Sequence, residues 1–75
     1  MNTTTAFNNK LAAQFSVEAG KTYDYKMPNW DRPTRVTIEN GKGDFAGELF
    51  VRFSPDRYPS KLRDIPVAAT FTEVS

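Results

Sequence analysis

Apolar and polar residues alternate along most of this chain. In residues 11–18, Leu11, Ala13, Phe15 and Val17 alternate with Ala12, Gln14, Ser16 and Glu18. In residues 22–27, Tyr23, Tyr25 and Met27 alternate with Thr22, Asp24 and Lys26. Period two marks a half-buried strand, so the pattern predicts a strand in each segment. A three-residue connection, Ala19-Gly20-Lys21, sets Val17 opposite Tyr23 and Phe15 opposite Tyr25 on one face. A connection one residue shorter or longer would set apolar against polar. Gly20 or a neighbour supplies the positive φ such a loop needs.

Residues 34–39 continue the pattern with Val36 and Ile38 inward. Asn40-Gly41-Lys42-Gly43 then reads as a four-residue hairpin turn. It leads into residues 44–53, with Phe45, Leu49, Val51 and Phe53 on one face. This turn pairs Ile38 with Phe45 and Val36 with Gly47, and sets Arg35 opposite Glu48 on the outer face. Residues 54–66 are interrupted by Pro55, Pro59 and Pro66, which excludes a strand there. Ser54-Pro55 resembles an N-cap followed by proline at the first helical position. Ser60 is placed to cap a second short turn carrying Leu62 and Ile65, so one or two 3₁₀-like turns are expected. The last strand is residues 67–74, with Val67, Ala69 and Phe71 inward.

Residues 1–10 are rich in Asn and Thr without periodicity. They are expected to form a flexible N-terminal arm with Phe7 as its anchor. Residues 11–75 then form a single small β domain. The fold class is all-β: five short strands with a short 3₁₀ turn before the last. That is the element order of an SH3-like barrel, with an open five-stranded meander as the alternative. An OB-fold would need a helix between its third and fourth strands, where this chain has only Asn40–Gly43.

A chain of 75 residues is one domain with a modest core. Aromatic residues make up 13% of it and can supply most of that core. There is no cysteine, which removes disulfides and thiolate chemistry and fits a cytoplasmic location. There is no histidine, which removes the commonest general base and the commonest metal ligand. The net charge of +1 lacks the basic excess of strong nucleic-acid binders. No apolar run approaches the length of a membrane span, and residues 1–10 lack the pattern of a signal peptide.

Gly41, Gly43 and Gly47 miss the dinucleotide fingerprint by one residue and precede a strand, not a helix. They read as turn glycines. The carboxylates show no metal-ligand or EF-hand spacing. The expectation is a protein without catalysis, metal or small-molecule cofactor.

Two groups of basic residues lie among aromatics: Lys26, Arg32 and Arg35 around Trp30, and Arg57, Lys61 and Arg63 near Tyr58. Such mixtures serve single-stranded nucleic-acid platforms, yet Asp31, Asp56 and Asp64 dilute both. Phe50 breaks the alternation and falls on the outer face between Glu48 and Arg52. Either the N-terminal arm or residues 54–66 cover it, with Phe7 or Leu62 as partner, or it anchors another molecule. Pro28 and Pro33 stiffen the loop that holds Trp30, which either folds over the open end of the barrel or stands out as a contact.

These features predict a non-catalytic binding module that docks on a larger protein or assembly. It would act as an accessory subunit or as a stoichiometric inhibitor of the kind phages direct at host machinery. The expected partner-binding residues are Trp30, Arg32 and Phe50, with Arg57 and Tyr58 secondary. Single-stranded DNA or RNA binding is the alternative, and a structural accessory role in a virion is the third reading.

Overall fold

The computed structural model describes residues 3–74. One α-helix, α1 (Thr3–Phe15), precedes five strands: β1 (Thr22–Lys26), β2 (Thr34–Asn40), β3 (Leu49–Arg52), β4 (Ser60–Lys61) and β5 (Thr70–Glu73). All pair antiparallel in one sheet of order β4-β3-β2-β1-β5. The sheet is open and does not close into a barrel. Single 3₁₀ turns lie at Gly43–Phe45 and Leu62–Asp64, the second ahead of β5 as the prolines and Leu62 predicted.

The strand expected over residues 11–18 is not formed, because those residues close a helix that begins inside the expected arm. The inward-facing positions are Asn8, Leu11, Ala12 and Phe15, spaced as one face of a helix repeats. Asn8, fully buried, is the polar member that hides this period. Ala13, inward in the strand reading, is exposed. The Phe15–Tyr25 and Val17–Tyr23 pairings therefore do not exist, although both Phe15 and Val17 reach the core.

Residue 16 ends the helix in a left-handed turn. Ser16 has φ of 58°, its N–H donates to the Ala13 carbonyl (3.3 Å), and the Val17 N–H donates to the Ala12 carbonyl (2.9 Å). That double bond is a Schellman closure, a position where glycine is usual.

The β2–β3 register also differs from the four-residue turn. Ile38 pairs with Val51, not Phe45, and the connection runs through the 3₁₀ turn. Val36 pairs with Tyr23 in β1, and Arg35 with Asp24. The slip is an even number of residues, so Leu49 and Val51 still face inward. Phe45 leaves the strand and is about half exposed. Gly47 sits against Thr5 of α1 with φ of 88°, and a Cβ there would collide with the Thr5 side chain.

Three further expectations fail. Ser60–Lys61 is a short strand despite the flanking prolines, because Pro59 lies just outside it. Ser60 does not cap the Leu62–Asp64 turn, whose N-cap is Lys61. Val67 is exposed, since Pro66 delays β5 until Thr70, whereas Ala69 is buried and Phe71 packs on the core.

The inner face of the sheet carries Tyr23, Tyr25, Val36, Ile38, Leu49 and Val51. Phe15, Leu62 and Ala69 cover it. One buried hydrogen bond fixes α1 to this layer. The Gly41 N–H donates to the Glu48 carbonyl (2.8 Å), so by alternation the Leu49 backbone turns away from β2, toward β4. β4 is too short to meet it. The Asn8 Oδ1 accepts the Leu49 N–H at 3.0 Å instead, while Asn8 Nδ2 donates to the Thr4 carbonyl at 2.9 Å. Beside it, the Arg63 guanidinium lies 5.2 Å from the Phe7 ring centroid and 2.9 Å from the buried Glu48 carboxylate.

Two stability outcomes follow. Asn8→Ala strands the buried Leu49 N–H and is expected to cost about 1–3 kcal/mol in urea unfolding. Asn9→Ala, on the exposed face, should stay within about 0.5 kcal/mol of the parent. Ser16→Gly relieves the left-handed serine and should stabilise by about 0.5–1 kcal/mol, raising Tm by several degrees in a calorimetric scan.

Candidate functional site

Connections in an antiparallel meander leave the sheet at alternating ends. The β1–β2 connection (residues 27–33) and the β3–β4 connection (residues 53–59) therefore share one end. A single side chain anchors both. The Tyr25 ring meets Trp30 edge-on at 5.5 Å and Phe53 at 5.3 Å. Phe71 adds a third ring at 5.2 Å.

The first connection opens with a tight turn. The Trp30 N–H donates to the Met27 carbonyl (3.0 Å), with Pro28 at the second position, where its fixed φ suits the turn. Trp30 is 38% exposed, so one edge rests on Tyr25 and the remainder faces solvent. It is both lid and surface. Asp31, Arg32 and Pro33 are exposed beyond it. Among the described residues, Arg32 has no carboxylate within ion-pair distance.

In the second connection, the Asp56 N–H donates to Ser54 Oγ (3.3 Å) and the Arg57 N–H to the Ser54 carbonyl (3.2 Å), forming one turn. Arg52 pins the loop: its Nη1 donates to the Arg57 carbonyl at 2.8 Å and its Nε to Glu39 at 2.6 Å. Tyr58 is 98% exposed.

Trp30, Arg32, Arg57 and Tyr58 thus lie at one end of the sheet, with Lys26 and Arg35 at its margin. Lys26 donates to the Met27 carbonyl (3.2 Å), and Arg35 is held by Asp24 at 3.3 Å. Arg35 does not meet Glu48, which Arg63 takes. Between Arg35 and Arg52 lies a shallow hollow of about 200 Å³ floored by Thr37 and Pro55. Each guanidinium there is already paired with a carboxylate.

Phe50 is not part of this end. It sits on the outer face as the alternation required, and it is half-buried against Phe45 at 5.8 Å. The cover is neither Phe7 nor Leu62. The Lys61 ammonium caps the Phe45 ring at 5.6 Å. Besides Ala13, the alternation missed two large exposed side chains, Phe45 and Val67, because it carried each strand past its true start. Pro66 was the available signal for Val67, which lies at the loop end because β5 begins opposite Lys26.

Among the described residues, no three acidic side chains gather as a metal site would require. Burial holds the Tyr25 phenol above its ordinary value of 10.0. Lys21 is raised above 10.5, chiefly by its hydrogen bond to Glu18. A raised folded pKa contributes stability present below the unfolded value and lost as pH climbs past it. The melting temperature is therefore expected to fall above about pH 10. Tyr25→Phe should show a smaller loss across that window in melts monitored by circular dichroism.

Comparison with known proteins finds no matching family model, no matching characterised protein and no matching solved structure.

Proposed function

We propose that this domain is a non-catalytic docking module, an accessory subunit or stoichiometric inhibitor, that binds a larger protein through the loop end of its sheet. One observation carries the reading. Trp30 and Tyr58, far apart in sequence, stand exposed at the same end of the sheet with Arg32 and Arg57 beside them. Trp, Tyr and Arg are the side chains that dominate binding energy at protein contacts. Both loops are held from below, by Tyr25 and by Arg52, so little order is lost when they are covered. The strand order, with a 3₁₀ turn ahead of β5, supports an SH3-like reading of the open sheet.

A tagged chain, incubated with lysate of its source cells with and without nuclease, tests this. The expected result is a stoichiometric protein partner retained after nuclease and after high salt. Tyr58→Ala removes a ring that packs on nothing and should leave the melt unchanged. Trp30→Ala should cost some stability by uncovering Tyr25. Each should weaken binding roughly thirtyfold, matching a loss of ~2 kcal/mol at a binding hot spot. Capture that vanishes with nuclease or falls steeply with salt would move the assignment to single-stranded nucleic acid, served by Lys26, Arg32, Arg35 and Arg57 around the same rings. Unchanged binding by both variants would remove the loop end from the interface.

A further inference from the structure

The two edges of the sheet are unlike. β4 is two residues long, bounded by Pro59 and a 3₁₀ turn, and the Asn8 side chain occupies the ladder position beyond its end. Such an edge is blunted against further pairing. β5 is four residues, Thr70-Phe71-Thr72-Glu73, without proline or lysine. Thr70, Phe71 and Thr72 are types that favour strands, and the one charge on the strand, Glu73, lies within 3.7 Å of Lys21 in the same chain.

The direction of its backbone groups can be read from one bond. The Val74 N–H donates to the Thr22 carbonyl at 3.1 Å. By alternation, Thr72 and Thr70 also turn their backbone toward β1, and Phe71 and Glu73 turn theirs outward. β5 is the last strand on that side, and no bond among the described residues takes these outward groups.

We propose that this edge pairs with itself: two copies of the chain join β5 to β5, antiparallel, into one continuous sheet centred on Thr72. In that register Phe71 lies opposite Glu73 of the second copy, and each exchanges both N–H and C=O with the other. Four hydrogen bonds form, and no outward group on the strand is left over. A pairing centred on Phe71 would need the Ala69 N–H, which already donates to the Pro66 carbonyl at 3.0 Å. A pairing centred on Glu73 would set two carboxylates face to face. The Thr72-centred seam avoids both. Its only charged residue, Glu73, meets Phe71, and Thr72 meets Thr72 of the second copy on the outer face, a favourable cross-strand pair. Opposed residues share a face, so the inner layers of both copies lie on the same side. A hollow of about 210 Å³ at the inner side of Phe71, bounded by Gln14, Ser16 and Val67, leaves space for the second copy's Glu73 beside polar groups.

Sedimentation equilibrium from micromolar to millimolar chain tests the assignment. The wild type is expected at twice the monomer mass at the upper end. Thr72→Lys and Thr72→Asp each oppose like charges at the seam and should be monomeric alone. Mixed in equal amounts, they should form a hetero-pair, visible by native mass spectrometry. Thr72 is exposed, and both variants keep the β1 hydrogen bonds, which circular-dichroism melts verify. Glu73→Pro, which deletes an outward N–H and no inward one, is an independent second variant expected to be monomeric. Tyr58→Ala, which removes a ring that packs on nothing, should dimerise as the wild type does, which separates this inference from the docking surface. A wild type that stays monomeric throughout overturns the proposal. So do single Thr72 variants that remain dimeric, or a Lys/Asp mixture that does not pair.

Discussion

The bond between the Leu49 N–H and the Asn8 side chain decides how the two layers of this protein meet. β3 needs a partner on its outer side, and β4 supplies one for only two residues. Where β4 gives way to the Leu62–Asp64 turn, a helix side chain continues the ladder. Leu62 is thereby free to enter the core, and the helix acquires a fixed height above the sheet. Phe15 at its far end then meets Phe71 edge-on at 5.3 Å. Close approach of α1 at Gly47 and the Arg63 clamp between Phe7 and Glu48 both depend on that height. A buried amide with its donor and acceptor both satisfied costs little and specifies much.

The sequence made the sheet legible where alternation was backed by turn residues. Tyr23, Tyr25, Val36, Ile38, Leu49 and Val51 are inward as their period requires, and the 3₁₀ turn lies among the prolines. The helix was illegible for a specific reason. Its buried face reads Asn8, Leu11, Ala12, Phe15, and a polar residue at the head of that series removes the hydrophobic period. Leu11, Ala13, Phe15 and Val17 happen to alternate, which imitates a strand. The β2–β3 register failed because Asn-Gly looked like the whole turn, when the chain continues through a 3₁₀ turn before β3. Of the candidate contact residues, Trp30, Arg32, Arg57 and Tyr58 come together through meander topology. Phe50 does not, since its register in β3 sets it opposite Glu39 and Lys61 on the outer face, where Phe45 half-buries it.

The two halves of the molecule are built by different means. The end near α1 and the β2–β3 connection is held by buried polar links and ion pairs. The opposite end is held by edge-on rings around Tyr25, with Arg52 as the one polar pin, on the 53–59 loop. Aromatic anchoring tolerates small sliding motions, whereas a buried amide does not. The Trp30 loop, held by ring contact alone, is therefore the part with room to adjust on contact, while Arg52 keeps the 53–59 loop in place.

The hydrogen bond from Gly41 to Glu48 also bears on the chemical lifetime of the protein. Asparagine followed by glycine is the pair most prone to deamidation, because the next backbone nitrogen can attack the side-chain amide unhindered. Here that nitrogen is engaged at 2.8 Å, and Asn40 is extended in β2, away from the bent geometry that ring closure needs. Ageing at Asn40 is thus gated by local opening of the β2–β3 pair, not by the exposure of the side chain. Replacing the glycine offers no escape, since a Cβ at position 41 would collide with Phe45 and Phe50. The pairing that holds the hairpin closed is what preserves its own most fragile residue.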